Sequence, residues 1–208
     1  MNSKADAKIV AIVLAAGAAR RFGRPKQLER WPAPAGPTLL ERALANAQAG
    51  GADEIIVVTG NAAAAIEAIG LEWAQGASYN YRAVFNPRWQ EGQGFSVAAG
   101  VQVLRSDVAA VIFFLADQPR LAPSTGAALV AAFRTVADEN TIIFPVYGGK
   151  RGNPVVFGRA HFAALARLEG DVGGRAVVKA HPECVREIEV NDPAIHEDVD
   201  TPQDLSNL

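Results

Sequence analysis

Arg20, Arg21, Arg24 and Lys26 stand within seven positions of one another, directly after the small-residue run Leu14-Ala15-Ala16-Gly17. Four cations beside so little side-chain bulk suit the holding of phosphate oxygens. Small residues let a ligand lie against the backbone, and Gly17 and Gly23 allow turns closed to other residues. Each well-placed cation supplies about 4 kcal/mol of gross attraction at ~4 Å and an effective dielectric of ~20. The segment is neither a Gly-Lys-Ser/Thr loop nor a Gly-x-Gly-x-x-Gly dinucleotide loop. A solvated basic surface loop would have the same composition. Carboxylates are the second ingredient: Asp117 follows the apolar run Val111–Leu115, and Glu197, Asp198, Asp200 and Asp204 cluster further on. One or two such groups suffice to hold Mg²⁺ against triphosphate oxygens. The plainer alternative makes Asp117 a strand-end turn residue and Asp200 or Thr201 a helix cap, with Pro202 in the first turn.

Such residues need a frame. Ile9–Leu14 is a continuous, largely β-branched run, as expected of a strand buried on both faces. Glu54–Thr59 and Ala109–Leu115 read as further strands. Helical patterns cover Leu39–Ala49 (stopped by Gly50-Gly51), Asn61–Ile69, Ser96–Leu104 and Pro123–Val136, the last opened by a proline that the first helical turn tolerates. Ile142–Phe144 reads as a strand. Val146-Tyr147 and Val155–Phe157 flank a Gly-rich hairpin turn, followed by a helix over Arg159–Arg167 and a last strand at Glu187–Val190. Alternating strands and helices of these lengths predict a three-layer α/β/α sandwich around a mostly parallel sheet, made mixed by the late hairpin. Ligands bind at the carboxyl ends of the strands in such sheets, which is where Gly17 and Asp117 fall.

At 208 residues, against roughly 150 per domain, the chain is expected to form one domain. Half of it is hydrophobic and a fifth charged, which excludes global disorder. A net charge of -2 argues against nucleic acid as a partner. One cysteine, Cys184, excludes a disulfide framework and a Cys-rich zinc site, and it reads as a half-buried packing thiol. His161, His181 and His196 read as surface or packing residues without ligand spacing, and Trp31, Trp73 and Trp89 as packing. No apolar run approaches the ~20 residues of a membrane span. Lys4 and Lys8 precede Ile9–Ala16 much as in a secretion signal, with Ala16-Gly17-Ala18 resembling a cleavage site. The phosphate-loop reading explains that run better, so the expected location is the cytoplasm.

The motifs together resemble the MobA-like nucleotidyltransferases, and among them the molybdenum cofactor cytidylyltransferases. The likeness rests on Leu14-Ala15-Ala16-Gly17 with Arg21, Gly23 and Lys26; Asn86-Pro87-Arg88-Trp89 with Gly92; Gly94-Phe95-Ser96 leading to Gly100; Leu115-x-Asp117-x-Pro119; Gly152-Asn153-Pro154; Gly170-Asp171-x-Gly173; and Asp198-Val199-Asp200-Thr201-Pro202 with Asp204-Leu205. Ala19 stands where the family often has Ser, and Gly36-Pro37-Thr38 where Gly-x-Pro is usual.

The resemblance implies the nucleotide-diphospho-sugar-transferase variant of a Rossmann-like fold, with a nucleotide part over about 8–120 and an acceptor part over about 121–208. It implies catalytic roles for Arg21, Lys26 and Asp117. Nucleotide contacts would come from Leu14, Ala15, Ala16, Gly17, Arg21, Gly23, Lys26, Thr59, Gly60, Asn86, Ser96 and Asp117. Asp117 and Asp200, with Asp198 behind them, would hold Mg²⁺ or Mn²⁺. Gly152, Asn153, Pro154, Asp171 and Arg175 would meet the acceptor, whose phosphate could reach Arg151 or Arg175. Helix capping is the rival role for Thr59-Gly60-Asn61 and for Ser96. Ala15-Ala16-Gly17 resembles the cytidylyl branch, so CTP and molybdopterin are the implied substrates and a molybdoenzyme the recipient. GTP, or a sugar, polyol or phospholactate acceptor, is the nearest alternative. A non-catalytic nucleotide or cofactor chaperone and a secreted binding protein are more distant ones.

Overall fold

The computed structural model describes residues 7–208, so Lys4 lies outside it. β1 (Lys8–Leu14) is the central strand, and Ile9–Val13 are fully buried, as an unbroken apolar run requires. β2 (Glu54–Thr59) and β4 (Val108–Leu115) flank it in parallel, and β3 (Tyr81–Phe85) pairs in parallel with β2 at the edge. Successive β1 side chains face opposite layers. Ile9, Ala11 and Val13 pack with α1 (Leu39–Ala49), α2 (Ala63–Ala77) and α4 (Pro123–Val136). Val10 and Ile12 pack with α3 (Gln93–Gln102), α5 (Phe162–Leu165) and α6 (Arg175–Ala180). The result is the three-layer α/β/α sandwich.

The remaining strands are β5 (Ile142–Tyr147), β6 (Lys150–Arg151), β7 (Val155–Gly158) and β8 (Val185–Glu189). The sheet order is β3-β2-β1-β4-β7-β5-β6, with β8 on β5. Gly148 and Gly149, both at positive φ, close the β5–β6 hairpin. Val146 pairs with both Arg151 and Glu189, and Ile142 with both Phe157 and Val185. β6 and β7 therefore share one side of β5 and are two pieces of one returning strand, interrupted at Gly152-Asn153-Pro154. β7 also pairs antiparallel with β4. It is thus reversed between two strands of like direction, which makes the sheet mixed.

Several elements differ from the sequence expectation. The sequence pattern assigns no element to Tyr81–Phe85, which forms β3. Helix α2 runs on to Ala77, and Gly70 does not stop it; a Cβ there would lie 2.2 Å from Tyr81 Oη, so glycine admits the tyrosine. α3 starts at Gln93, which places Ser96 inside the helix rather than at its cap. The stretch over Arg159–Arg167 is a 3-10 turn and one α turn, α6 is an additional helix, and the last strand begins at Val185. No helix among the described residues is long and apolar enough to cross a membrane.

Candidate active site

The chain leaves β1 without leaving the sheet. Ala15 N–H donates to Val58 O at 3.0 Å, and the buried Gln27 amide donates to Ala15 O and Gly17 O at 3.1 and 3.2 Å. The loop then turns tightly, with Ala19 O accepting from Phe22 and Gly23 N–H and both Ala19 and Gly23 at positive φ. Phe22 is the anchor: it is buried against Leu39 and Val199, which holds Arg20 and Arg21 outward.

Lys26 is where the loop meets the carboxylates. Its Nζ lies 2.7 Å from Asp117 Oδ2 and 3.2 Å from Asp200 Oδ1, and donates to Val199 O at 2.7 Å. Burial alone would lower the ammonium pKa, but Asp117 and Asp200 outweigh it and raise it. Lys26 is therefore charged. Arg21 holds the other oxygen of Asp200 at 2.7 Å. Val199 N–H donates to Asp117 O at 2.9 Å, stitching the C-terminal segment to the loop after β4.

The cap question resolves through α7 (Pro202–Ser206). Thr201 is the cap, in a capping box with Asp204, and Asp204 also accepts from Asp200 N–H. The Asp200 carboxylate is left free for Lys26 and Arg21. Asp198 stays open to solvent, yet desolvation by its surroundings and the nearby Asp117 and Asp200 push its carboxyl up to about 6. Asp117 Oδ1 is buried without a hydrogen-bond partner. This is an acid-rich set of hard oxygen donors with one orphaned acceptor and an ammonium already between two of its members. Such a set fits Mg²⁺ or Mn²⁺.

These groups line a cleft of about 710 Å³, which is in the size range of small-molecule sites. Leu14, Ala16, Gly17, Arg20, Arg21, Lys26 and Ser96 line it together with Asn153, Asp171 and Arg175, and so do Asp117, Asp198 and Asp200. The wall at Asp171 is set by backbone contact. Gly94 N–H donates to Gly170 O at 2.8 Å, and a Cβ on Gly92 would come within 2.1 Å of Gly170 C. The 170–174 loop is thereby pressed onto the start of α3.

Other expected residues sit behind the wall. Ala15 and Thr59 are fully buried, and Thr59 Oγ1 donates to Glu67. Gly60 lets Trp89 approach, since a Cβ would be 2.5 Å from it. Asn86 donates to Ser96 Oγ at 3.0 Å and so supports a lining residue. Gly152 leaves room for Ile195, while Asn153 N–H bonds Ile195 O. Pro154 is buried and Gly23 is a turn residue. Two expected cations are spent elsewhere: Arg24 pairs with Glu29 and Arg151 with Glu187. Gln27, Gln93, Phe144 and Phe157 line the cleft without having been singled out, and Trp89 lines it besides packing on Gly60.

A Rossmann-like sheet whose strand ends gather a cationic loop and facing carboxylates into one cleft defines a nucleotidyltransferase. The comparisons agree, and the chain belongs to the MobA-like NTP transferase domain family, whose pattern it matches over residues 11–185. It is 32% identical over 215 residues to nicotine blue oxidoreductase of Paenarthrobacter nicotinovorans, covering 96% of each chain. It is 31% identical to Rv0371c of Mycobacterium tuberculosis H37Rv, with a TM-score of 0.79 and 97% of each chain covered. Rv0371c has also been solved in complex with manganese (TM-score 0.74, 30% identity, 97% of each chain covered). A nucleotidyl transferase from Methanothermobacter thermautotroptrophicus shares the fold at a TM-score of 0.75 and 23% identity, with 96% of this chain and 95% of that one covered.

Proposed function

We propose that the protein transfers CMP from CTP to the phosphate of a molybdopterin acceptor and releases pyrophosphate, in the cytoplasm, where CTP is made. The observation that carries the transferase chemistry is Lys26 held between Asp117 and Asp200 at the mouth of a small-residue loop. An acceptor phosphate oxygen attacks the α-phosphorus, the new P–O bond forms, and the bond to the bridging oxygen breaks as pyrophosphate leaves. Little covalent help is needed, and positioning with charge stabilisation carries such reactions. Lys26, Arg21 and Arg20 would hold the triphosphate, Ala16 and Gly17 would lie against the nucleotide, and Asn153 and Arg175 would orient the acceptor. A divalent cation, which Asp117 and Asp200 would hold, supplies neutralisation of phosphate charge. Manganese on Rv0371c supports that role, as does the orphaned Asp117 oxygen.

The relative named an oxidoreductase favours a second reading, in which the same cleft serves reduction of a heteroaromatic compound. The deciding experiment is thermal unfolding with Mg²⁺ and each of CTP, GTP, ATP and UTP, followed by pyrophosphate release with molybdopterin. A ligand at ~100 times its Kd stabilises by about 2.7 kcal/mol, a rise of several degrees. A shift with CTP alone, then release of pyrophosphate, is the expected result. A shift with another nucleotide overturns the base assignment. Oxidation of a nicotinamide cofactor in the presence of a dye acceptor, without pyrophosphate release, replaces the transferase reading with the redox one.

A further inference from the structure

α6 begins in the cleft, where Arg175 and Val178 line the wall, and ends at His181 on the surface. His181 N–H closes the helix on Val177 O and Val178 O. The chain then makes the 3-10 turn Pro182–Cys184, with Cys184 N–H donating to His181 O at 3.1 Å, before entering β8. This turn brings three different ligating atoms together. His181 Nδ1 and Cys184 Sγ each lie 3.6 Å from Glu183 Oε1, and all three atoms fall within 4.8 Å of one another.

We propose that His181, Glu183 and Cys184 form a binding site for a thiophilic divalent cation of the Zn²⁺ class, separate from the cleft carboxylates. Zinc takes nitrogen and oxygen at ~2.0–2.2 Å and sulfur at ~2.3 Å in a tetrahedron, which puts neighbouring ligand atoms about 3.3–3.6 Å apart. Both separations to Glu183 Oε1 already meet that spacing, and His181 Nδ1 and Cys184 Sγ lie within 4.8 Å of each other. A mixed thiolate, imidazole and carboxylate set selects Zn²⁺ or Co²⁺ over Mg²⁺, which prefers oxygen alone. Its three protein ligands leave the fourth position to water. Binding releases the thiol proton, because the thiolate is the ligand.

The backbone of this turn is fixed at both ends by α6 and β8, which brings the three ligand positions close together before a metal binds. His161 stands beside the site, its ring 5.2 Å from that of His181, but its Nε2 is occupied at 2.8 Å by Asn140 O. It steadies the His181 ring and is not a ligand. The reading of the histidines as lacking ligand spacing overlooked His181 and Cys184, three residues apart on a tight turn.

Co²⁺ titration of the full chain tests the site, because a thiolate bound to cobalt gives a near-ultraviolet charge-transfer band that carboxylate-bound cobalt does not. One equivalent should develop the band, and Zn²⁺ but not Mg²⁺ should abolish it. Cys184→Ser should lack the band, and His181→Ala and Glu183→Ala should each weaken Co²⁺ binding at least ~10-fold, since even outer ligands of a metal are worth that much. Asp117→Asn should keep the band intact, which separates the site from the cleft. No band in the wild type overturns the proposal, as does a band of unchanged affinity in both His181→Ala and Glu183→Ala. Far-ultraviolet circular dichroism of each variant shows that it is folded.

Discussion

The three parallel strands β1, β2 and β4 carry charged residues at both ends of the sheet, and the two clusters are built differently. At the amino ends, Glu54 takes Lys8 on one oxygen at 3.2 Å and Arg82 on the other at 2.7 Å, with Asp107 also near Lys8. Burial pushes the Glu54 carboxyl up, but hydrogen bonds from Lys8 and Arg82 outweigh it and hold it below the usual carboxylate range. Every strong acceptor of Glu54 is filled. At the carboxyl ends, Asp117, Asp198 and Asp200 face Lys26 and Arg21, and Asp117 Oδ1 has no partner. The first cluster is closed and holds strands in register. The second keeps acceptor capacity and surplus negative charge, which is the state of a site waiting for further positive charge.

Four substitutions would break or sharpen that contrast. Asp117→Asn should lower pyrophosphate release by about 10²–10³-fold, the usual loss for a preorganised charge partner, with an unchanged unfolding midpoint. A collapsed midpoint would make the upper cluster structural like the lower one. Lys26→Met should cost about 10²-fold in turnover for the same reason, read in the same assay. Glu54→Gln should do the reverse: about 1.5–3 kcal/mol lost in urea unfolding at neutral pH, with turnover within ~2-fold of wild type. Its pH dependence has a definite sign. A carboxyl depressed on folding stabilises fully above its unfolded pKa near 4.5, and that stability is lost as pH falls through the folded value. The acid side of the stability profile should therefore be flatter in Glu54→Gln than in wild type. Smallest is Thr201→Ala, which removes the α7 cap for about 1 kcal/mol. Because α7 positions Asp200, it should lower turnover less than ~10-fold, far below the Asp117 effect.

β1, β2 and β4 were legible because burial on both faces forces an unbroken apolar run. α1 and α4 were legible because Gly50 and Pro123 mark an end and a start. β3 was not, since its residues are half-buried or exposed, with Phe85 on the surface, as befits an edge strand. α6 was hidden by its brevity and by the glycines before it. In the cleft, the strand-end rule anticipated that Asp117 and the cationic loop would lie together at one end of the sheet. No local pattern could show that Lys26 meets Asp200 from 174 positions away. Gln27 looked like any polar neighbour of a lysine, and only its burial shows that it holds the loop carbonyls. Asn86 belongs to a matched motif, yet it serves by holding Ser96.

The reversed strand β7 matters for how the chain is made. β4 leaves the ribosome well before β7, and until Val155–Gly158 emerge its outer edge has no partner. At ~5–20 residues per second that interval lasts seconds, long beside the ~10 µs in which a hairpin closes. An apolar strand with an open edge is a template for pairing with another nascent chain. The order of synthesis therefore makes residues 116–154 an interval of exposure, and shortening or slowing it would change the yield of folded protein without altering a single native contact.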